Sequence, residues 1–144
     1  MMGRMLVAAL VATAGLGAMD ARAEDFPRES YSGAQNGLAA PFVGEWMLRY
    51  PEPEGTIVSE ILVDCDDPVV ISALGETEIS YQSPAMEAPV KFALSAFAER
   101  TSWFPDDSDS SIVVWLTPDR FHIYPTNLGN AVWDAPRLMV RCPE

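Results

Sequence analysis

Residues 42–50, FVGEWMLRY, carry the first strand of the domain and the short motif on which the fold assignment depends. Three large apolar side chains occupy alternate positions of this run: Trp46, Leu48 and Tyr50. Met47 and Arg49 fall between them, and prolines follow the run at once. Alternation with a period of two predicts a β-strand that turns one face toward a core, and the prolines predict its end.

Downstream, short apolar runs alternate with turn residues about every 8 to 12 positions, which is the spacing of an all-β sandwich or barrel. The clearest is 76–81, where Thr77, Ile79 and Tyr81 alternate with polar residues. The further runs cover 56–65, 69–72, 90–103, 112–116, 121–124 and 137–142. No βαβ pattern or internal repeat interrupts them. We therefore predict an all-β chain folded as a small up-and-down antiparallel β-barrel of about eight strands, since closure removes exposed strand edges.

Three of these runs carry specific expectations. Residues 90–100 suit a helix by alanine content and a strand by alternation, and the neighbouring strands favour a strand that continues to Trp103. Pro118 follows Thr117 in a sequence typical of a hairpin turn. In the last run, alternation predicts Leu138, Val140 and Cys142 on the core face and Met139 and Arg141 on the outer face.

The N-terminus has the order of regions found in a secretory signal peptide. Arg4 precedes an apolar run over 6–17, and the small-residue site Ala21-Arg22-Ala23 follows it. The alternative, a membrane anchor, needs about 20 apolar residues, more than this run contains. We expect a signal peptide over 1–23, an irregular N-terminal arm over 24–41 and the barrel domain over 42–144. We also expect a periplasmic or secreted location and no membrane span after signal cleavage.

Charge and cysteine content narrow the classes of partner. The chain has 21 acidic and 9 basic residues, a formal net charge of −12. Such a surface repels phosphate backbones and anionic lipids, so we expect no nucleic-acid binding. The two cysteines, Cys65 and Cys142, predict one disulfide in an oxidising compartment, with two separate thiols as the alternative.

No catalytic or cofactor motif stands out. The single histidine, His122, lies between Phe121 and Ile123 in a predicted strand and is expected to face solvent, without a Gly-x-Ser-x-Gly motif to accompany it. In residues 107–111, the side chains with oxygen atoms have the spacing of the first three ligand positions of a calcium-binding loop. Such a loop also needs a glycine at position 6 and a glutamate at position 12, where this chain has Ile112 and Pro118. We therefore expect no enzyme activity, no metal and no cofactor.

The tripeptide Gly44-Glu45-Trp46 resembles the Gly-x-Trp that opens the first strand of the lipocalin-like (calycin) barrels, and the likeness of architecture covers about residues 42–142. This resemblance implies a barrel-closing arginine that packs across Trp46, with Arg137 and Arg141 as candidates, and a disulfide from Cys142 to a middle strand. The chain is also similar to small exported bacterial barrels that include inhibitors of secreted metalloproteases, which insert their N-terminal arm into the enzyme.

These observations predict a non-catalytic exported binding domain for a small apolar ligand or a protein partner. A protease inhibitor and a structural envelope protein without ligand are the alternatives. Four tryptophans are candidates either for the core or for a ligand cavity: Trp46, Trp103, Trp115 and Trp133. Core packing is favoured in so small a barrel. An open apolar interior would favour a small ligand, whereas a filled one would favour a protein partner.

Overall fold

A computed structural model describes residues 28–50, 61–134 and 136–144, and these residues form an all-β structure. The expected signal peptide and residues 24–27 lie outside the described ranges. The strands are β1 (Gly44–Arg49), β2 (Ile61–Val63), β3 (Val69–Gly75), β4 (Glu78–Gln82), β5 (Val90–Phe97), β6 (Arg100–Phe104), β7 (Ser111–Thr117), β8 (Arg120–Asn127), β9 (Asn130–Ala131) and β10 (Arg137–Arg141). A 3₁₀ turn, Ala40–Phe42, precedes β1. Within the described ranges no helix has the length and hydrophobicity that crossing a bilayer would need.

Eight of these strands close into an antiparallel barrel in the order β1, β3, β4, β5, β6, β7, β8, β10, with β10 paired to both β8 and β1. The predicted fold class is therefore confirmed. Two short strands stand apart from the ring. β2 continues the side of β1 on which β3 lies, so β1 faces Ile71 of β3 near its start and Val63 of β2 near its end. β9 forms a hairpin with the end of β8.

Aromatic side chains fill one half of the barrel interior. Phe42, Trp46, Trp103, Trp115 and Phe121 are at most 2% exposed, and their contacting ring centroids lie 4.7 to 6.1 Å apart. Most of these pairs meet edge to face, the arrangement that the ring quadrupole favours. Three of the four tryptophans therefore serve as core residues in this half of the barrel.

The N-terminal arm closes this end of the barrel. The backbone N–H of Tyr31 donates to the carbonyl of Trp115, and that of Ala39 donates to the carbonyl of Glu76. Gly37 has a φ of +81°, and a Cβ at this position would stand 2.8 Å from the backbone nitrogen of Ala96. Only glycine allows the arm to pass so close. The described part of the arm, from Arg28 onward, is thus irregular in structure but bound to the hairpins at this end.

The predicted faces of the last strand are wrong. Met139 lies opposite Leu48 and is fully buried in the core, whereas Val140 lies opposite Met47 and faces outward. Apolar residues occur on both faces of β10, because the outer wall of the barrel is itself partly covered. Leu138, for example, is outward but only 8% exposed. The arginines of β10 point inward at the two ends of the strand, where an inward side chain still reaches water.

The prediction of one strand over 90–103 is also wrong in part. The strand character is confirmed, but the chain reverses at Ala98 and Glu99 between β5 and β6. Both residues have positive φ, 46° and 60°. Two-residue hairpins need such angles and usually mark them with glycine or asparagine. Neither residue is present here, so this turn has no residue signal that could have predicted it. The hairpin predicted at Pro118 is confirmed.

The segment after β8 folds back over the outside of the barrel. Trp133 packs edge to face against Tyr124 of β8, with ring centroids 4.9 Å apart, and its ring centroid lies 5.5 Å from the guanidinium of Arg100 on β6. Val114 of β7, between those strands, faces outward and is 1% exposed. Trp133 is therefore part of a small apolar layer on the outer wall, not of the interior.

Cys65 and Cys142 form a disulfide, with their Cα atoms 5.7 Å apart. Cys142 follows β10 and donates its backbone N–H to the carbonyl of Glu45 on β1. Cys65 lies in the turn between β2 and β3, not in a strand as the run 56–65 predicted. The residues 56–60 of that run lie outside the described ranges. The bond thus joins the two neighbours of β1, reaching across that strand on the outside of the barrel.

Truncation of two methionines tests the register of β10. We expect Met139→Ala to lower the free energy of unfolding by about 2 to 5 kcal/mol, because it empties a site in the core. Met47→Ala, on the outer face, should cost about 1 kcal/mol or less. Urea denaturation of both variants measures the difference. Equal losses would show that the inward face has been assigned wrongly.

Removing the disulfide tests its contribution to stability. Cys65 and Cys142 are separated by 77 residues, so the chain-entropy model gives about 4 to 5 kcal/mol. This is comparable with the net stability of a small domain. We expect no reactive thiol in the native oxidised protein and a loss of that size in Cys65→Ser/Cys142→Ser. A double variant that unfolds at the wild-type urea concentration would contradict this estimate.

Candidate functional site

The end of the barrel that the arm closes is organised by Arg141. Its guanidinium lies over the ring of Trp46, 4.2 Å from the ring centroid. Nη1 donates to the carbonyl of Val43 at 2.9 Å, Nη2 donates to that of Pro41 at 2.8 Å, and Nε donates to Asp119 Oδ1 at 2.9 Å. A further bond reaches the carbonyl of Pro118. Arg141 therefore joins the arm, β1 and the β7–β8 turn, and its donors are occupied.

Gly44 is part of the same arrangement. Its φ is +143°, and a Cβ there would lie 2.8 Å from Arg141 Nη1. Trp46, two residues later, donates its indole N–H to the carbonyl of Phe42 at 2.8 Å. Of the two arginines that the resemblance offered, Arg141 is thus the one that packs across the tryptophan. These residues hold the structure together. Outside them lies a surface recess of about 370 Å³, lined by Tyr31, Gly33, Gln35, Ala40, Pro41, Trp115, Pro118 and Arg141.

The opposite end of the barrel opens as a recess, which we call the mouth. Its volume is about 210 Å³, and its walls come from β1, β4, β5, β6, β7, β8 and β10. The lining residues are Leu48, Tyr81, Phe92, Trp103, Ser111, Ile123 and Arg137. The mouth begins where the aromatic filling ends, since Trp103 belongs to both.

Arg137 is the charged group of the mouth. It is exposed, and its guanidinium lies 5.3 Å from the ring centroid of Tyr50, a distance typical of a cation–π contact. It forms no ion pair with any residue in the described ranges. Among the residues that the structure describes, no carboxylate lines the recess. Unlike Arg141, Arg137 therefore has hydrogen-bond donors to offer.

Tyr81 is the second polar group of the mouth. It is 8% exposed and packs against Phe92 and Trp103. Burial raises its pKa from 10.0 to about 12, although the positive charge of Arg137 pulls in the opposite direction. The phenol consequently stays protonated at neutral pH and keeps an O–H that can donate.

Trp103 contributes an unpaired donor. Its indole Nε1 is buried and has no hydrogen-bond partner in the structure. The same holds for Trp115, which lies at the closed end. A buried N–H without an acceptor is uncommon in native proteins and costs about 1 to 3 kcal/mol. Among the described residues, the polar groups of the side chains that line the mouth are therefore the guanidinium of Arg137, the phenol of Tyr81 and the hydroxyl of Ser111, while the Nε1 of Trp103 is buried beside it.

The other residues that the sequence singled out lie elsewhere. His122 is half-buried on the outer wall of β8, with Nδ1 3.3 Å from the hydroxyl oxygen of Tyr124. Burial lowers its pKa, and the positive charge of Arg28 lowers it further. Asp107 and Asp109 are exposed in the β6–β7 loop. Within the described ranges, no three His, Cys, Asp or Glu side chains converge as metal ligands would.

Sequence reasoning did not identify the mouth. Tyr81, Phe92 and Ile123 were predicted as core or strand residues, and Ser111 as part of a loop. Arg137 was proposed only as a possible partner of Trp46. One signal was available in the sequence: Arg137 and Arg141 stand near the two ends of the last apolar run. This signal becomes informative only once the strand is known to cross the whole barrel.

Comparison of the chain with protein-family models, with curated proteins and with solved structures gave no match. The likeness to the lipocalin-like barrels thus stays one of architecture. The closed eight-stranded antiparallel barrel is consistent with it, and so is the packing of Arg141 on Trp46.

The raised pKa of Tyr81 predicts a loss of stability at high pH. The folded state retains the phenol proton more strongly than the unfolded chain, whose tyrosine ionises at its ordinary value of 10.0. The contribution of Tyr81 is therefore complete below pH 10.0 and is lost as the pH rises toward about 12, by on the order of 2 kcal/mol. Tyr81→Phe should remove this dependence and the highest step in an absorbance titration of the phenols. Persistence of that step in Tyr81→Phe would show that another tyrosine produces it, and Tyr31→Phe serves as the control.

Proposed function

We propose that this chain is a non-catalytic binding domain of the periplasm or cell exterior, which takes a small apolar ligand in the mouth of its barrel. The observation that carries the proposal is the difference between the two ends. Arg141 and the arm cover the packed aromatic rings at one end, so the recess of about 370 Å³ there lies between the arm and the barrel, whereas the recess of about 210 Å³ at the other end is lined by strand residues that are mostly apolar. A concave apolar site with a few converging polar groups is the usual form of a small-molecule site.

The size of the recess restricts the ligand. At about 30 Å³ per water molecule, its volume corresponds to roughly seven waters, below the range of drug-sized pockets. One aromatic ring or a short aliphatic chain fits this volume. Leu48, Phe92 and Ile123 on its walls would bury such a group at about 25 cal/mol per Å² of apolar surface.

The scaffold supports a preformed site. The walls are strands of a closed barrel, and the disulfide reinforces the β10–β1 closure from outside. A rigid recess loses little conformational entropy when a ligand enters, which favours affinity in a small site. The disulfide and the leader-like residues 1–23 together support an oxidising, extracytoplasmic location.

The chemistry of the mouth supports binding without catalysis. Ser111 supplies a hydroxyl, but His122, the only histidine, lies on the outer face of β8 and does not line the recess. A serine nucleophile would need such a base within hydrogen-bond reach. The described part of the arm is bound to the barrel end from Ser30 onward, and this gives no support to a protease inhibitor that works by inserting its arm.

Blocking the mouth tests the proposal. We expect small one-ring aromatic alcohols, acids and amides to shift the Trp103 indole N–H signal in ¹H–¹⁵N NMR spectra, assigned with Trp103→Phe. Ser111→Trp should abolish the shift, because the larger ring fills the recess. Ser72→Trp, on the outside of β3, should preserve it.

Absence of any saturable shift in wild-type protein, or its survival in folded Ser111→Trp, would contradict a ligand site at the mouth. Native mass spectrometry of protein recovered from the cells that export it provides an independent measurement. A small molecule retained by wild type and lost in Ser111→Trp is the expected result.

A further inference from the structure

We propose that the ligand of the mouth is a small carboxylate, with its apolar part in the recess and its carboxyl group on Arg137. This inference depends on the proposed function and adds the chemical class of the ligand. It follows from the charge, the hydrogen-bonding sense and the depth of the polar groups around the recess.

Charge is the first argument. The chain carries 21 acidic residues, yet none of those within the described ranges lines the mouth, where the charged lining group among the described residues is the guanidinium of Arg137. The ring of Tyr50 supports Arg137, which forms no ion pair within the described ranges. By contrast, Arg141 is satisfied by Asp119 and three carbonyl oxygens. The mouth therefore presents a positive charge whose counterion has to come from outside these residues.

Hydrogen-bonding sense is the second argument. A guanidinium only donates, and a phenol with its pKa raised to about 12 keeps an O–H that donates at neutral pH. Arg137 and Tyr81 supply these groups, and the hydroxyl of Ser111 can donate as well. A group that only accepts and carries negative charge complements them. A carboxylate has this property, and its two oxygens match the fork of an arginine.

The number of positive charges selects a monoanion. Arg137 alone can neutralise one negative charge, and the rest of the chain is strongly acidic. A phosphate monoester would bring about 1.5 to 2 negative charges at neutral pH and leave part of them unpaired. The carboxylate is therefore favoured over the phosphate.

Depth sets the orientation of the ligand. Arg137 is exposed and Tyr81 is 8% exposed, whereas Trp103, next to the packed core, is 2% exposed. The apolar part would thus lie against Trp103 and Phe92, and the carboxylate would lie at the rim between Arg137 and water. The charged group keeps much of its hydration, so the cost of burying a charge is small.

The test compares two probes that differ in charge and hardly in shape, 3-phenylpropanoate and 3-phenylpropanamide. Titrations monitored at the Trp103 indole signal give both dissociation constants. We expect wild-type protein to bind the acid at least tenfold more tightly than the amide. Arg137→Gln should abolish this preference by weakening the acid alone. Arg137→Lys, which keeps the charge but loses the fork, should fall between them.

Arg120→Gln is the matched control. Arg120 is exposed at the closed end of β8, so this variant removes the same charge from the chain but not from the mouth. It should retain the preference for the acid. Equal affinities for acid and amide in wild-type protein, or equal losses in Arg120→Gln and Arg137→Gln, would overturn the carboxylate inference while leaving an apolar ligand site intact. Failure of both probes to shift Trp103 would overturn the proposed function together with it.

Discussion

The structure depends on the contact between one guanidinium and one indole ring. Arg141 covers Trp46 and binds carbonyls of Pro41, of Val43 just before β1 and of Pro118 in the β7–β8 turn. The β7–β8 turn and β10 are far from the start of β1 in sequence, and bringing them together costs conformational entropy that no local contact repays. A charged group held by four oxygen acceptors and an aromatic face supplies a directional interaction at the point where the barrel closes. Gly44 is glycine because this guanidinium occupies the space of a Cβ.

The stabilising contacts and the proposed binding site thus lie at opposite ends of the barrel. The aromatic rings, the arm and Arg141 occupy one end, and the mostly apolar walls of the mouth, with Arg137, occupy the other. Arg141 closes the barrel, so Arg137, at the other end of β10, is not needed for that role. A single strand thus carries, four residues apart, the group that closes the fold and the group that we assign to a ligand.

Alternation of side chains predicted most of the strands and the burial of Trp46. The spacing of the apolar runs and the need to remove exposed strand edges predicted the closed antiparallel barrel. Alternation failed where both faces of a strand are covered, as in β10, whose outward Leu138 is buried like the inward Met139. It also failed at the turn of Ala98 and Glu99, because neither is a glycine or an asparagine, the residues that usually indicate a positive φ. The mouth could not be predicted at all. Its seven lining residues come from seven strands, and only the register brings them together.

The disulfide has a consequence for the order of assembly. The covalent ring that it forms contains β3 to β10, whereas β1 lies outside the ring in sequence and fills the gap between its two ends in space. During synthesis β1 appears first, but both of its barrel neighbours and both cysteines come later. If the disulfide formed before β1 docked, β1 would have to enter the gap between β3 and β10 with the Cys65–Cys142 bond already closed across it. A chain of this topology benefits from an oxidant that acts late, after the first strand has docked between its neighbours.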